Sequence, residues 1–114
     1  MATEKLVRTL ALALPETTEK PCFGTPGFYV KGKLFARLWE DGATLVVMVP
    51  TEDRAELIAA EPEKFFFTDH YANYPSVLVR LPAIDRAELR EVLTDSWRFR
   101  APKRVLAAFD AANA

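Results

Sequence analysis

Residues 33–39, KLFARLW, are followed by Asp41-Gly42 and then by the apolar run TLVVMV at residues 44–49. Side chains alternate between the two faces of a strand, so residues 33–39 predict a strand with one apolar face. That face carries Leu34, Ala36 and Leu38. The opposite face carries Lys33, Phe35, Arg37 and Trp39. Asp-Gly between two apolar runs is typical of a hairpin turn. The face with cations and rings is the candidate functional surface, because arginines contact phosphates and aromatic rings stack on bases.

Composition limits the classes of function. The chain has 114 residues, half of them apolar, which is enough for one core, so we predict a single domain over residues 1–114. The net charge of -1 gives no overall attraction to nucleic acid or to an anionic membrane, so such binding needs a local patch. Cys22 and His70 are the single cysteine and histidine, which excludes an internal disulfide and a thiolate–imidazole zinc site. We expect a cytoplasmic protein without metal, cofactor or membrane span.

Hydrophobic periodicity predicts the order of the elements. Helical spacing appears before Pro15, after Pro50 and after Asp85, where Asp85 and Glu88 match a capping box. Three strand patterns precede the second helix and two follow it. We therefore predict an α+β fold with two layers and an antiparallel sheet, in the order α-β-β-β-α-β-β-α, plus a short C-terminal helix that begins at Pro102.

Several linked motifs carry a resemblance to a known family. They are GTPGF (24–28), KGKLFA (31–36), FFTDHY (66–71), YPSVLVRL (74–81), Trp97 and APKR (101–104). Together they resemble the MmcQ/YjbR family of small bacterial proteins, and they cover nearly the whole chain. The resemblance implies the fold called YjbR-like, CyaY-like or double-wing. Members are often labelled DNA-binding because of a likeness to a double-wing domain of a phage transcription activator, but a shared fold does not establish a shared function.

Charge is sorted along the chain. Residues 21–39 and 96–109 contain bases and no acid, whereas residues 40–69 hold eight acids and two bases. We predict that DNA is the partner and that the contacts are made without catalysis. The predicted nucleic-acid-binding residues are Lys31, Lys33, Arg37, Trp39, Arg80, Lys103 and Arg104. The alternative is that these cations are ordinary solvated surface and that Phe35 and Trp39 fill a secondary apolar cluster.

Two further functions stay open. A protein-interaction module would dock a partner or a second copy through Phe35, Trp39 and Phe109. An enzyme or small-molecule binder would use the His70–Tyr74 loop, which holds a titratable imidazole among polar side chains. No nucleophile stands at a diagnostic spacing from it, so we predict no catalytic residues and no enzymatic activity.

Overall fold

The computed structural model describes residues 2–71 and 73–113, apart from the side chain of His70. The helices are α1 (Glu4–Leu12), α2 (Thr51–Ala60), α3 (Arg86–Arg100) and α4 (Lys103–Ala112). The strands are β1 (Thr17–Cys22), β2 (Thr25–Val30), β3 (Lys33–Leu38), β4 (Thr44–Met48), β5 (Phe65–Phe66) and β6 (Ser76–Arg80). Short 3-10 turns span Asp69–Tyr71 and Leu81–Ala83. No helix in this part of the chain is long and apolar enough to cross a bilayer.

The strands form one antiparallel sheet in the order β1-β2-β3-β4-β6-β5, and the predicted α+β class is confirmed. The helices contribute to one large core with one face of the sheet. Val7, Leu93 and Val105 from three helices are packed in the same cluster as Val47 and Val79 from the sheet. The fold is therefore two layers, as the sequence indicates.

The sheet has one strand more than predicted. β1, with the sequence TTEKPC, pairs along its length with β2, from Thr17 opposite Val30 to Cys22 opposite Thr25. Its residues are mostly exposed, so it shows no apolar alternation. Charged side chains and a proline are typical of edge strands, because they discourage pairing with other chains. The turn to β2 uses Phe23 and Gly24, both in the left-handed region at φ 53° and 83°.

A register shift changes the predicted faces of β3. Phe28 pairs with Ala36 but Tyr29 pairs with Leu34, so Phe35 is an extra residue in the ladder. Phe35 is fully buried in the main core with the helices. The prediction that Phe35 shares an open face with Arg37 is therefore wrong, because a bulge reverses the alternation.

The sheet face away from the helices is partly covered. Tyr71 packs on Val46 and Leu78 in a second, smaller cluster, with Trp39 and Phe66 at its margin. The 3-10 turn after β5 brings Tyr71 to this position. The middle of the face is therefore closed, where the sequence pattern predicts a surface open to solvent.

The N-terminus of α3 follows the capping-box prediction. The carboxylate of Asp85 accepts a hydrogen bond from the Glu88 backbone N–H at 2.8 Å, and Glu88 accepts one from the Asp85 N–H at 3.2 Å. We expect Asp85→Ala to lower the free energy of unfolding by about 1 kcal/mol, because a helix donor loses its acceptor. Urea denaturation measures this change. Asp85→Asn keeps an acceptor and should recover most of the loss, and an equal loss in both variants would contradict this account.

Candidate nucleic-acid interface

The two segments without acids meet in space. Ser96 in α3 donates a hydrogen bond from its hydroxyl to the Phe35 carbonyl at 2.5 Å. One turn later, Arg100 Nε donates to the Leu34 carbonyl at 3.0 Å. The C-terminal half of α3 therefore lies beside the start of β3, although about sixty residues of chain separate them. This contact brings cations from both segments to one end of the molecule.

Four exposed cations lie at that end, and we call them the basic end: Lys31, Lys33, Lys103 and Arg104. Lys33 directly precedes Leu34, and Lys103 begins the helix that follows α3. Lys31 lies in the β2–β3 turn and pairs with Glu16 at 3.2 Å. Arg104 lines a shallow groove together with Glu16, which links it to the same region. Glu16 is the carboxylate that partly offsets this positive charge.

The N-terminus of α4 adds to the positive potential of the basic end. Pro102 is its N-cap and offers no side-chain hydrogen bond to the helix. The first turn contains no acidic residue and begins with Lys103 and Arg104. The positive end of a helix dipole favours anions, and its backbone N–H groups are suited to phosphate oxygens.

Two other cations of the acid-free segments are already engaged. Arg98 pairs with Asp110 through two hydrogen bonds, at 2.8 and 3.3 Å. The bonded Asp110 carboxylate raises the pKa of Arg98. Arg100 is half-buried and uses its Nε on the Leu34 carbonyl. These two arginines hold α3, α4 and β3 together, which fixes the position of the basic end.

Arg37, a predicted DNA contact, lies in a different environment. It is 6% exposed. Its guanidinium donates to Tyr71 Oη at 2.6 Å, to Thr25 Oγ1 at 3.1 Å and to Glu40 Oε1 at 3.0 Å. Arg37 Nε is buried without a hydrogen-bond partner in the described part of the chain. The side chain therefore joins β3 to β2 and to the turn that carries Tyr71, rather than extending into solvent.

Trp39 and Arg80 lie near Arg37 rather than at the basic end. Trp39 is half-buried, edge-on to Tyr71 with ring centroids 6.4 Å apart. Arg80 is exposed, with its guanidinium 4.1 Å from the centre of the Phe66 ring. Both flank Thr44, which accepts a hydrogen bond from the Trp39 N–H and pairs with Arg80 across the sheet. A strand rises about 3.3 Å per residue, so Trp39 lies roughly 20 Å along β3 from Lys33.

The predicted site residues therefore divide into two groups. Lys31, Lys33, Lys103 and Arg104 form the basic end, and Arg37, Trp39 and Arg80 lie near the opposite end of the sheet. The sequence missed the contribution of Arg100 and of the α4 N-terminus, because both depend on how α3 packs against β3. The absence of acids in residues 96–109 was the available signal.

The structure also describes some of the residues predicted for the two alternative functions. Phe35 is fully buried, whereas Phe109 is half-buried, packs against Trp97 with ring centroids 4.9 Å apart, and lines the shallow groove that contains Arg104. Phe23 in the β1–β2 turn is 88% exposed. The side chain of His70 lies outside the described residues. Of its neighbours, Tyr71 is buried and Tyr74 is exposed.

Comparison with known proteins identifies the family. A family model described as YjbR matches residues 12–99, which is most of the chain. The chain belongs to the YjbR family. The predicted family is therefore confirmed, and the match extends from the end of α1 almost to the end of α3.

Three proteins similar to this YjbR-family chain are described without an activity. The crystal structure of Deinococcus radiodurans protein DR2400, with the domain DUF419, superimposes with a TM-score of 0.74 and 25% identity, over 91% of this chain and 82% of that one. The uncharacterized protein Mb2600 of Mycobacterium bovis is 47% identical over 53 residues, which are 46% of this chain and 41% of that protein. Rv2570 of Mycobacterium tuberculosis, also uncharacterized, matches to the same extent. The matched region thus spans less than half the length of these curated relatives.

Proposed function

We propose that this YjbR-family protein binds the phosphate backbone of DNA in the cytoplasm through its basic end, without catalysing a reaction. The observation that carries the proposal is the contact between α3 and β3, where Ser96 and Arg100 bond to the Phe35 and Leu34 carbonyls. That contact gathers cations from two distant segments beside an uncapped helix N-terminus. A chain with a net charge of -1 needs such a gathering to hold a polyanion.

The predicted residues differ in how readily they can reach a phosphate. Lys33, Lys103 and Arg104 are exposed and form no ion pair in the described part of the chain, so they are available to phosphates. Lys31 can bind a phosphate only if its salt bridge to Glu16 breaks. Arg80 and Trp39 would contribute only if the nucleic acid extends across the sheet, and Arg37 acts by holding the sheet and the Tyr71 turn in place. Backbone contacts of this kind position a protein on DNA but do not read its sequence.

The proposal predicts weak, salt-dependent binding. With four phosphate contacts, affinity for duplex DNA should fall roughly 100-fold between about 50 and 200 mM salt, from a slope of about -0.9 per contact. Fluorescence anisotropy of labelled duplex and single-stranded DNA measures this slope. A slope near zero, or no binding at the lowest salt concentration, would contradict the proposal.

A charge-matched pair of variants locates the surface. The triple variant Lys33→Glu, Lys103→Glu and Arg104→Glu should abolish binding within the measurable range, because repulsion replaces three attractive contacts. The control reverses three exposed cations elsewhere: Lys5→Glu, Arg86→Glu and Arg90→Glu. Its net charge is identical, and we expect it to retain most of the affinity. Equal loss in both variants would mean that net charge alone governs binding.

A protein-interaction module is the second candidate. It is favoured by Phe23, whose ring is 88% exposed at the tip of the β1–β2 hairpin. A large apolar side chain held in solvent by a left-handed backbone suits a contact with another protein better than a contact with phosphates. Phe23→Ser should leave the DNA titration unchanged if the basic end is the binding surface.

A further inference from the structure

A groove lies between α2 and α3, apart from the basic end. Its volume is about 490 Å³, within the range of roughly 300–1,000 Å³ that is typical of ligand clefts. Its apolar lining includes Val49, Leu57, Phe65 and Val92. Val49 and Phe65 are buried, whereas Leu57 and Val92 are half-buried and leave apolar surface toward the groove. No residue of α2 is fully buried, so this helix lies on the body without closing against α3.

Six carboxylates line the groove above this apolar floor. They are Asp53, Glu56 and Glu61 on the α2 side, and Glu88, Glu91 and Asp95 on α3. Lys64 pairs with Glu61 and Glu88. Within the described residues the other four carboxylates form no ion pair. The groove therefore combines an apolar floor with negative rims in which Lys64 neutralises only part of the charge.

The two rims act on each other electrostatically. Partial burial raises the pKa of Asp95, and the charges of Glu91 on the same helix and Asp53 on the facing helix raise it further, while Arg98 opposes this. The carboxylates of the two rims repel each other across the groove, and a cation placed between them would relieve this repulsion. A ligand that is complementary to this groove therefore carries positive charge.

The length of the groove matches that of a short docked helix. On each helix the lining residues extend over about two turns, from Asp53 to Glu61 and from Glu88 to Asp95. At about 1.5 Å per residue this is roughly 11 Å, which matches anchor side chains at positions i, i+3 or i+4, and i+7 of a docked helix. We propose that this groove binds a basic amphipathic helix of a partner protein, with its apolar anchors on Leu57 and Val92 and its lysines or arginines against the carboxylate rims. This site differs from the proposed DNA surface and does not depend on it.

A labelled synthetic helix of about 16 residues, with leucines at i, i+3 and i+7 and lysines elsewhere, is the probe. Fluorescence anisotropy with the full chain should give saturable binding that weakens with salt. A second peptide of the same charge has serines in place of the leucines, and its affinity should be at least about tenfold lower, because it lacks anchors for the apolar floor. Equal binding of the two peptides would overturn the proposal, because attraction would then be charge alone.

Two isosteric variants locate the binding to the groove. Glu56→Gln with Glu91→Gln removes one unpaired charge from each rim and should weaken the leucine peptide about tenfold. Glu52→Gln with Glu63→Gln removes two exposed charges that do not line the groove, and should change the affinity less than about twofold. Equal effects in the two variants would overturn the proposal.

Sedimentation of the chain alone tests whether a second copy occupies the groove. If the chain forms a dimer, and Glu56→Gln with Glu91→Gln dissociates that dimer, the occupant is a second copy and the proposal is overturned.

Discussion

Trp97→Ala should lower the free energy of unfolding by about 3–5 kcal/mol, the range for removing a large aromatic side chain from a core. Trp97 is fully buried in α3. Its indole Nε1 donates a hydrogen bond to the Pro15 carbonyl at 3.0 Å, and its ring lies edge-on to Phe109. One side chain therefore joins α3 to the α1–β1 connection and to α4. Denaturation by urea, followed by circular dichroism, measures the loss.

The second tryptophan is the matched control. Trp39 is half-buried at the margin of the smaller cluster, so Trp39→Ala should cost about 1–2 kcal/mol, in proportion to the area it buries. Trp97→Phe keeps a ring in the core but loses the bond to Pro15, and we expect an intermediate cost. If Trp39→Ala destabilises the protein as much as Trp97→Ala, the assignment of the main core to the helix side of the sheet is incorrect.

Arg37→Met is expected to lower the free energy of unfolding by about 2–3 kcal/mol, through the loss of hydrogen bonds from a buried charged donor. Methionine keeps much of the aliphatic volume, so the change reports on the guanidinium rather than on a cavity. The bonds lost are those to Tyr71, Thr25 and Glu40. Chemical denaturation at neutral pH gives the value.

Arg80→Met is the control for this second prediction. Arg80 is exposed and contacts the Phe66 ring and the Pro62 carbonyl at the surface. Its replacement should cost less than about 1 kcal/mol, as is usual for surface interactions. An Arg37→Met variant as stable as Arg80→Met would show that the guanidinium contributes nothing to the fold and is free for a ligand.

The parts of the fold with strong local patterns could be predicted. The Asp-Gly hairpin has an apolar run on each side, and the capping box at Asp85 satisfies donors within one helical turn. Trp97 stands at helical spacing from Leu89 and Leu93 and is buried with them in the apolar stripe of α3. In these cases the residues that determine the structure lie within a few positions of one another.

Other features depend on contacts that the sequence does not display. β1 has the composition of an edge strand, and its pairing with β2 is what makes it a strand. The burial of Phe35 follows from one extra residue in the ladder. Arg37 is buried because Tyr71, which lies 34 positions away, provides an acceptor. The basic end also depends on a distant contact. Local charge sorting predicted all four of its members, but only the packing of α3 on β3 separates them from Arg37, Trp39 and Arg80.

The sorting of charge along α3 has a consequence for solution behaviour. Its first three turns carry Glu88, Glu91 and Asp95 together with Arg86 and Arg90, whereas its last turn carries Arg98 and Arg100 next to the basic end and no acid. A nearly neutral molecule with a basic end and a separate groove lined by carboxylates has a dipole moment, so in dilute buffer we expect neighbouring copies to attract one another. Titrations at low ionic strength should therefore be paired with a measurement of particle mass, so that self-attraction is distinguished from ligand binding.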